Sequence, residues 1–360
     1  MTLKGDIRTE ADRLRAIFEA SGAVPFEAEI LQPAGALLDL YGEDIRARAF
    51  VTHDPLRGEM MLRPDFTVPL VGRHMETGGG QARYTYAGEV FRRQEEHPER
   101  ASEYLQVGYE IFGNPDAAVA DSEVFAAFAD ILSPLDLKAS MGDIGLLRAA
   151  VAGLETSAAR KAALLHHLWR PNRFKALLER YSRSVVTNAA RDALLDAPNP
   201  LEARGVEIGL RSATEVAARL DTLRKERGTP AIPEPDVAKI DALLAINGSA
   251  IEALGSLERL AGTQPAIADA VEALARRFDA LMRRGVDLNA VRFEASFGRT
   301  TLEYYDGFVF GFEAEGRDMP PVATGGRYDA LTRAIGGNKA VPAVGGVIRP
   351  GLTLVLGGGV

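Results

Sequence analysis

Residues 83–113 read RYTYAGEVFRRQEEHPERASEYLQVGYEIFG, two strand-like runs separated by a charged loop, and no other stretch narrows the fold as far. In the second run an alternation of period two places Leu105, Val107, Tyr109 and Ile111 on one face and Tyr104, Gln106, Gly108 and Glu110 on the other. The first face is apolar and requires a core. The second carries an amide and a carboxylate with a glycine between them. Glycine weakens a strand interior but leaves room for a ligand, so this face is expected to floor a small polar pocket. An antiparallel hairpin with one face in water gives the same alternation. The loop, Arg93 to Ser102, is longer than the ~2–5 residues of an ordinary hairpin loop, and long polar loops often carry function.

Around this hairpin the chain alternates short strands and helices. Helical spacing over 7–21 ends at Gly22, and Phe26 to Leu31 reads as a strand closed by Pro33. Ala34 to Tyr41 reads as helical, followed by a hairpin from Arg48 to Leu62 and a helix from Thr67 to Met75. Residues 117–132 are expected to be helical and Leu137 to Met141 a strand. From Gly145 to about residue 285 the chain is rich in Ala, Leu and Arg with few strand formers, which predicts a helical insertion. Strands return at Val291. Over 301–313, TLEYYDGFVFGFE, alternation puts Tyr304, Phe308, Phe310 and Phe312 on one face and Tyr305, Gly307, Val309 and Gly311 on the other. This repeats the pattern of the hairpin, a bulky face and a face kept low by glycines, and predicts one antiparallel sheet with a ligand across it.

Composition excludes several classes of function. The 360 residues suffice for one large domain or two ordinary ones, and 46% hydrophobic with 26% charged residues is normal for a chain with a real core. The absence of cysteine removes disulfides, thiol nucleophiles and Cys-based zinc sites. The adjacent His166 and His167 do not share a helix face, so no metal is expected there. The first residues lack the apolar core of a secretory signal, and no run reaches the ~18–20 apolar residues of a membrane span. The cytoplasm is the expected location. A net charge of −8 weighs mildly against a nucleic-acid-binding surface.

Several of these segments, taken together, resemble one family. A strand ending in Phe91-Arg92, a polar loop, then Tyr104-Leu-Gln-x-Gly-x-Glu110 is similar to motif 2 of class II aminoacyl-tRNA synthetases, closest to histidyl-tRNA synthetase. Gln94 stands in place of the family's acid and Leu105 in place of its His. LRPDFT, residues 62–67, resembles the family's Arg-Pro-Glu-Gly-Thr, with Asp65 and Phe66 substituted and Thr67 kept. Tyr304-Tyr305-x-Gly307 and TGGRYDAL, residues 324–331, match two further elements, but Thr300 occupies the position of the family's catalytic Arg. By strand parity the neighbouring Arg299 would lie on Tyr305's face and offer a carboxylate contact. In the motif 3 region, 341–356, Leu352 falls where an Arg contacts the ATP phosphates, and Arg349 precedes Pro350. The anticodon-binding domain that follows in the synthetases is expected to be absent.

This combination resembles the regulatory subunits of ATP phosphoribosyltransferase, paralogues of that synthetase. The resemblance spans roughly 1–145 and 286–346. It implies an α+β fold, a class II synthetase-like antiparallel sheet flanked by helices. The core would be discontinuous, 1–145 and 286–360, with 146–285 inserted. It implies no catalysis, no cofactor, no metal, and a pocket for free histidine. Glu110 and Tyr305 would hold the imidazole, and Asp65, Thr67 and Gln106 the α-amino group. Arg92 would lie near the carboxylate or a former nucleotide site, and Tyr304 completes the set. The implied partners are a short-form catalytic subunit and a second copy of the chain, with no membrane and with tRNA disfavoured. The alternatives are a synthetase or related aminoacyl-adenylate-forming enzyme with degenerate motifs, and a class II-like scaffold without a ligand.

Overall fold

A computed structural model describes residues 3–35, 48–94, 99–183, 189–201, 212–299, 304–337 and 339–357. Twelve strands are present among them: β1 (Val24–Pro25), β2 (Leu31–Pro33), β3 (Val51–Asp54), β4 (Gly58–Leu62), β5 (Ala82–Phe91), β6 (Glu103–Phe112), β7 (Lys138–Asp143), β8 (Asn247–Ser249), β9 (Arg292–Glu294), β10 (Phe308–Glu313), β11 (Ala323–Arg327) and β12 (Ala343–Ile348). Nine form one sheet in the order β1-β5-β6-β12-β11-β10-β7-β9-β8, and β2-β4-β3 form a second. The long hairpin β5–β6 runs in continuous antiparallel register from Ala82 opposite Phe112 to Phe91 opposite Glu103. The pairs of the large sheet are antiparallel except β1–β5 and β7–β9, which are parallel.

One face of the large sheet is a dry core. Phe18, on the helix Lys4–Ala20, stacks on Tyr109 of β6 at 4.9 Å between centroids. Phe125, on the helix Ala117–Leu132, packs against Phe308, Phe310 and Phe312 of β10, as the alternation predicts for the bulky face. Asp116 caps that helix by accepting from the Val119 N–H at 3.1 Å, a bond worth about 1 kcal/mol. The sheet is low at its centre because Phe310 needs the space. A Cβ on Gly325 would lie 2.3 Å from its ring. The helix Lys4–Ala20 stops where Gly22 takes a left-handed φ of 87°, the conformation its lack of a Cβ permits.

The stretch 146–285 is helical over most of its described length, with two ties to the sheet. Strand β8 pairs with β9 at the sheet edge. Arg277, on the helix Ala268–Arg283, is buried and donates to Asp121 Oδ2 and to Asp143 Oδ2, each at 2.7 Å. Other segments differ from expectation. Extended structure expected over 26–31 is confined to β1 and β2 on either side, and the Phe26 N–H instead donates to the Thr85 carbonyl at 2.8 Å beside β5. The strand expected from residue 301 begins at Phe308. The Asp306 N–H is turned to the Arg327 carbonyl, which takes 304–307 out of a regular ladder. The helix expected from Ala34 to Tyr41 lies, beyond Gly35, outside the described residues, as do Thr300 and the first residues of the 301–313 stretch.

Candidate functional site

The face of the sheet opposite the core is built from the side chains that alternate with it. β6 presents Gln106, Gly108 and Glu110, with Tyr86 of β5 directly opposite Gly108. The room that Gly108 leaves is not open. The Tyr86 ring fills it, and a Cβ on Gly108 would come within 2.0 Å of that ring. Gly311 serves Phe297 in the same way, at 3.1 Å. Gly108 and Gly311 thus seat aromatic side chains of the protein itself. Tyr86 is further held by stacking on Phe66, 4.4 Å between centroids, at the start of the helix Thr67–Glu76.

The consequence is a fixed carboxylate. Glu110 is 1% exposed. Its Oε1 accepts from the Tyr86 hydroxyl at 2.8 Å and the Thr67 hydroxyl at 3.3 Å, and its Oε2 accepts from the Tyr328 hydroxyl at 2.6 Å. Burial lifts the Glu110 carboxyl to about 7, against the pull of the Tyr328, Tyr86 and Thr67 donors, with the nearby Asp65 adding repulsion. Burial, then the field of Glu110, pushes the Tyr86, Tyr328 and Tyr305 phenols up, so all three stay protonated donors at neutral pH. A carboxylate offers about four lone-pair positions and three are occupied here. One position remains for an incoming N–H.

The residues predicted from sequence converge. Asp65, Thr67, Arg92, Gln106, Glu110, Tyr304 and Tyr305 all line one small cavity, together with Thr324 and Val347. Gln106 is the informative one. It is 1% exposed, and neither its Oε1 nor its Nε2 has a hydrogen-bond partner among the described residues. A buried primary amide left this way forfeits about 1–3 kcal/mol per group, which a group that both donates and accepts would restore. The cavity volume is about 10 Å³, close to that of one water molecule. A larger ligand needs a wider cavity than this; Tyr304 and Tyr305, whose ring centroids are 4.8 Å apart, form one of its walls, and Tyr328 packs behind them.

Arg299 is not brought to this cavity. Its Nε donates to the Leu168 carbonyl at 2.8 Å and its guanidinium lies over the Phe174 ring. Strand parity placed it beside Tyr305, but residues 295–299 form a turn after β9 and parity does not carry through a turn. Conversely, Tyr86 and Tyr328, the two strongest partners of Glu110, were not singled out from sequence. The register of the hairpin could have given Tyr86, which pairs with Gly108.

A second, larger cavity of about 620 Å³ adjoins the first, and Asp65 and Arg92 line both. Its wall holds Lys4, Arg8, Arg48, Arg92, Arg93, Arg100 and Arg349 against the acids Asp65, Glu89 and Glu103. Arg92 is braced by donating its Nε to the Pro64 carbonyl at 2.8 Å, and Arg349 lies beside the Tyr104 ring. Leu352 also lines this wall, an apolar side chain among the cations. Such a concave cationic surface in an acidic chain favours anions. Among the described residues no cluster of His, Asp and Glu could hold a metal ion, and no helix is long and apolar enough to cross a membrane.

Comparison with known proteins gives a consistent picture. The pattern of the family described as histidyl-tRNA synthetase matches residues 6–229 and 213–350. An ATP phosphoribosyltransferase regulatory subunit from Sinorhizobium medicae is 33% identical over 94% of this chain and 95% of its own length. The protein of the same name from Agrobacterium fabrum is 33% identical over 94% of each. Among solved structures, an ATP phosphoribosyltransferase regulatory subunit/histidyl-tRNA synthetase from Bacillus halodurans superposes with a TM-score of 0.67 at 19% identity, covering 98% of this chain and 79% of that one. A histidine–tRNA ligase subunit from Alicyclobacillus acidocaldarius gives 0.61 at 22% identity, covering 98% and 92%. The fold is therefore the class II, histidyl-tRNA synthetase-like α+β fold that the sequence motifs imply.

Proposed function

The chain belongs to the family of ATP phosphoribosyltransferase regulatory subunits, and from that premise we propose that it is the non-catalytic, histidine-sensing chain of that enzyme in the cytoplasm. The observation that carries this reading is the convergence of Asp65, Thr67, Gln106 and Glu110 on one buried cavity, with the Gln106 amide unpartnered among the described residues. A free amino acid with an imidazole supplies what these groups lack. An imidazole N–H takes the last position on Glu110, a charge-assisted bond worth roughly 1.5–3 kcal/mol. The α-ammonium faces Asp65, Thr67 and the Gln106 oxygen. The α-carboxylate faces the Gln106 amide N–H and Arg92. Catalysis is assigned to a separate short chain, to which a homodimer of this one binds. The core is proposed to be the discontinuous 1–145 and 286–360, with 146–285 inserted and pinned to it through Arg277.

Calorimetric titration with free histidine tests the pocket. Wild type should bind, and Gln106→Leu should weaken binding at least tenfold, since two ligand contacts of about 1 kcal/mol each are lost. The same substitution removes a buried unpaired amide, so the melting temperature should not fall. Undiminished affinity in Gln106→Leu would sink the assignment. One observation favours a second reading. The larger cavity next door keeps the cationic lining that nucleotide chemistry requires, as a synthetase-like enzyme would. Histidine-dependent ATP–pyrophosphate exchange above a no-protein control would decide for that reading. Leu352, at the phosphate-contact position, leads us to expect none.

A further inference from the structure

Tyr305 and Tyr328 reach the pocket from different segments. Tyr328 donates to Glu110 at 2.6 Å, and the Tyr305 ring lies over Gly326, where a Cβ would meet it at 2.8 Å. The two ring centroids are 6.5 Å apart. One residue joins the segments. The Asp306 N–H donates to the Arg327 carbonyl at 2.9 Å, and Asp306 Oδ2 accepts from the Ala330 N–H at 3.0 Å. These bonds fall on either side of Tyr328, so Asp306 brackets it while being bonded in sequence to Tyr305.

A bracket alone does not call for a carboxylate. Asn, Ser or Thr would accept from the same N–H without burying charge. Here Oδ1 is shielded from solvent and has no partner among the described residues. The charged groups facing it come from three elements: Asp329 on the helix Asp329–Ile335, which repels it, and Arg148 on the helix Ile144–Ala152 and Arg327 on β11, which attract it. Arg327 is itself engaged by Asp121 and Asp329. Burial, then Asp329, raise the Asp306 carboxyl to about 6. The group therefore changes charge at mildly acidic pH while holding the wall of the pocket.

We propose that Asp306 is a positioning residue of the Glu110 pocket: ionised, it clamps the Tyr305 segment to the residues flanking Tyr328, and its protonation loosens that clamp. The consequence for affinity rests on the reading that this pocket takes free histidine. A charge-assisted bond to the Ala330 N–H is about twice as strong as the neutral one left after protonation. Ligand affinity then falls on the acid side through the clamp, in addition to the change set by Glu110.

The test uses the full chain with Asp306→Asn, which keeps the acceptor but never carries charge, and Asp306→Ala, which loses both. Calorimetry with histidine from about pH 5 to about pH 8 should show a roughly tenfold loss for Asp306→Ala at neutral pH, a smaller one for Asp306→Asn, and no step near 6 in the Asn profile. A ligand-free arm uses chains labelled with fluorotyrosine, the Tyr328 resonance being assigned by its loss in Tyr328→Phe. In wild type this resonance should titrate with a component near about 6 beside that of Glu110, and Asp306→Asn should lack it. Identical fluorine titrations in wild type and Asp306→Asn overturn the proposal whether or not histidine binds. A wild type that shows the step yet takes up no histidine supports the clamp and refutes histidine as the ligand.

Discussion

At the residue scale, Glu110 carries an opposition between stability and binding. Three hydroxyl donors hold it, yet burial still dominates and its carboxyl titrates at about 7. A folded-state value above the ordinary one, ~4.3, means that the native state binds more protons between ~4.3 and 7, so stability present at low pH is lost as pH rises through 7. The loss is on the order of 4 kcal/mol, at ~1.4 kcal/mol per pH unit of displacement. Glu110→Gln has no such proton to lose. Thermal melts of the two free proteins should therefore diverge across that window, with Glu110→Gln gaining on wild type as pH rises. In the same experiment saturating histidine should raise the wild-type melting temperature and leave that of Glu110→Gln nearly unmoved. Parallel pH profiles would show that Glu110 is not the strained group. Asp306, raised to about 6, adds a contribution of the same sign in both chains and cancels in the comparison.

At the scale of elements, the helix Ala268–Arg283 is held to the sheet by a buried charge cluster rather than by apolar contact alone. Arg277 meets Asp121 and Asp143, and Asp121 also accepts from Arg327 of β11. Removing one partner of a buried pair leaves an uncompensated charge, so Arg277→Met should cost about 3–5 kcal/mol in denaturant unfolding. It should also speed hydrogen exchange at the β8–β9 edge relative to the β5–β6 hairpin; uniform acceleration would mean that the helix is not a separate tie. This cluster was not legible in the sequence, because each acid lies more than a hundred residues from the arginine it meets and each residue alone is an ordinary surface type. Elements with their own periodicity were legible: the helices Lys4–Ala20 and Ala117–Leu132, and the β5–β6 hairpin. The short strands β1 and β8 were not, since their extended form comes from a neighbour's hydrogen bonds. The site divides in the same way. Seven cavity residues lay in contiguous motifs, whereas Tyr86 acts through cross-strand register and Tyr328 through the Asp306 bracket. Arg299 was misplaced because alternation was carried through a turn.

At the scale of the whole molecule, the size of the cavity sets what ligand binding must do. About 10 Å³ holds a water and not an amino acid, so occupancy requires a conformation in which the cavity is wider. Asp65 and Arg92 belong also to the cationic cavity beside it, so widening on their side would alter a concave surface large enough to receive another molecule's anionic group. A ligand shifts such an equilibrium only by its differential affinity for the two states, and the coupling is reciprocal. If a catalytic chain docks preferentially on one of these states, histidine changes its rate, and the catalytic chain changes histidine affinity, by factors typically between about 5 and 150 for the binding terms. The expected outcome is an activity measurement on the two purified chains mixed together. Phosphoribosyl-ATP should form only in the mixture, histidine should suppress it with wild type, and the mixture containing Glu110→Gln should be active but resistant to histidine. Titrating histidine calorimetrically into the wild-type chain with and without the catalytic chain should give affinities that differ. Equal affinities, together with unchanged rates, would mean that the pocket and the assembly are uncoupled and that histidine regulation does not run through this chain.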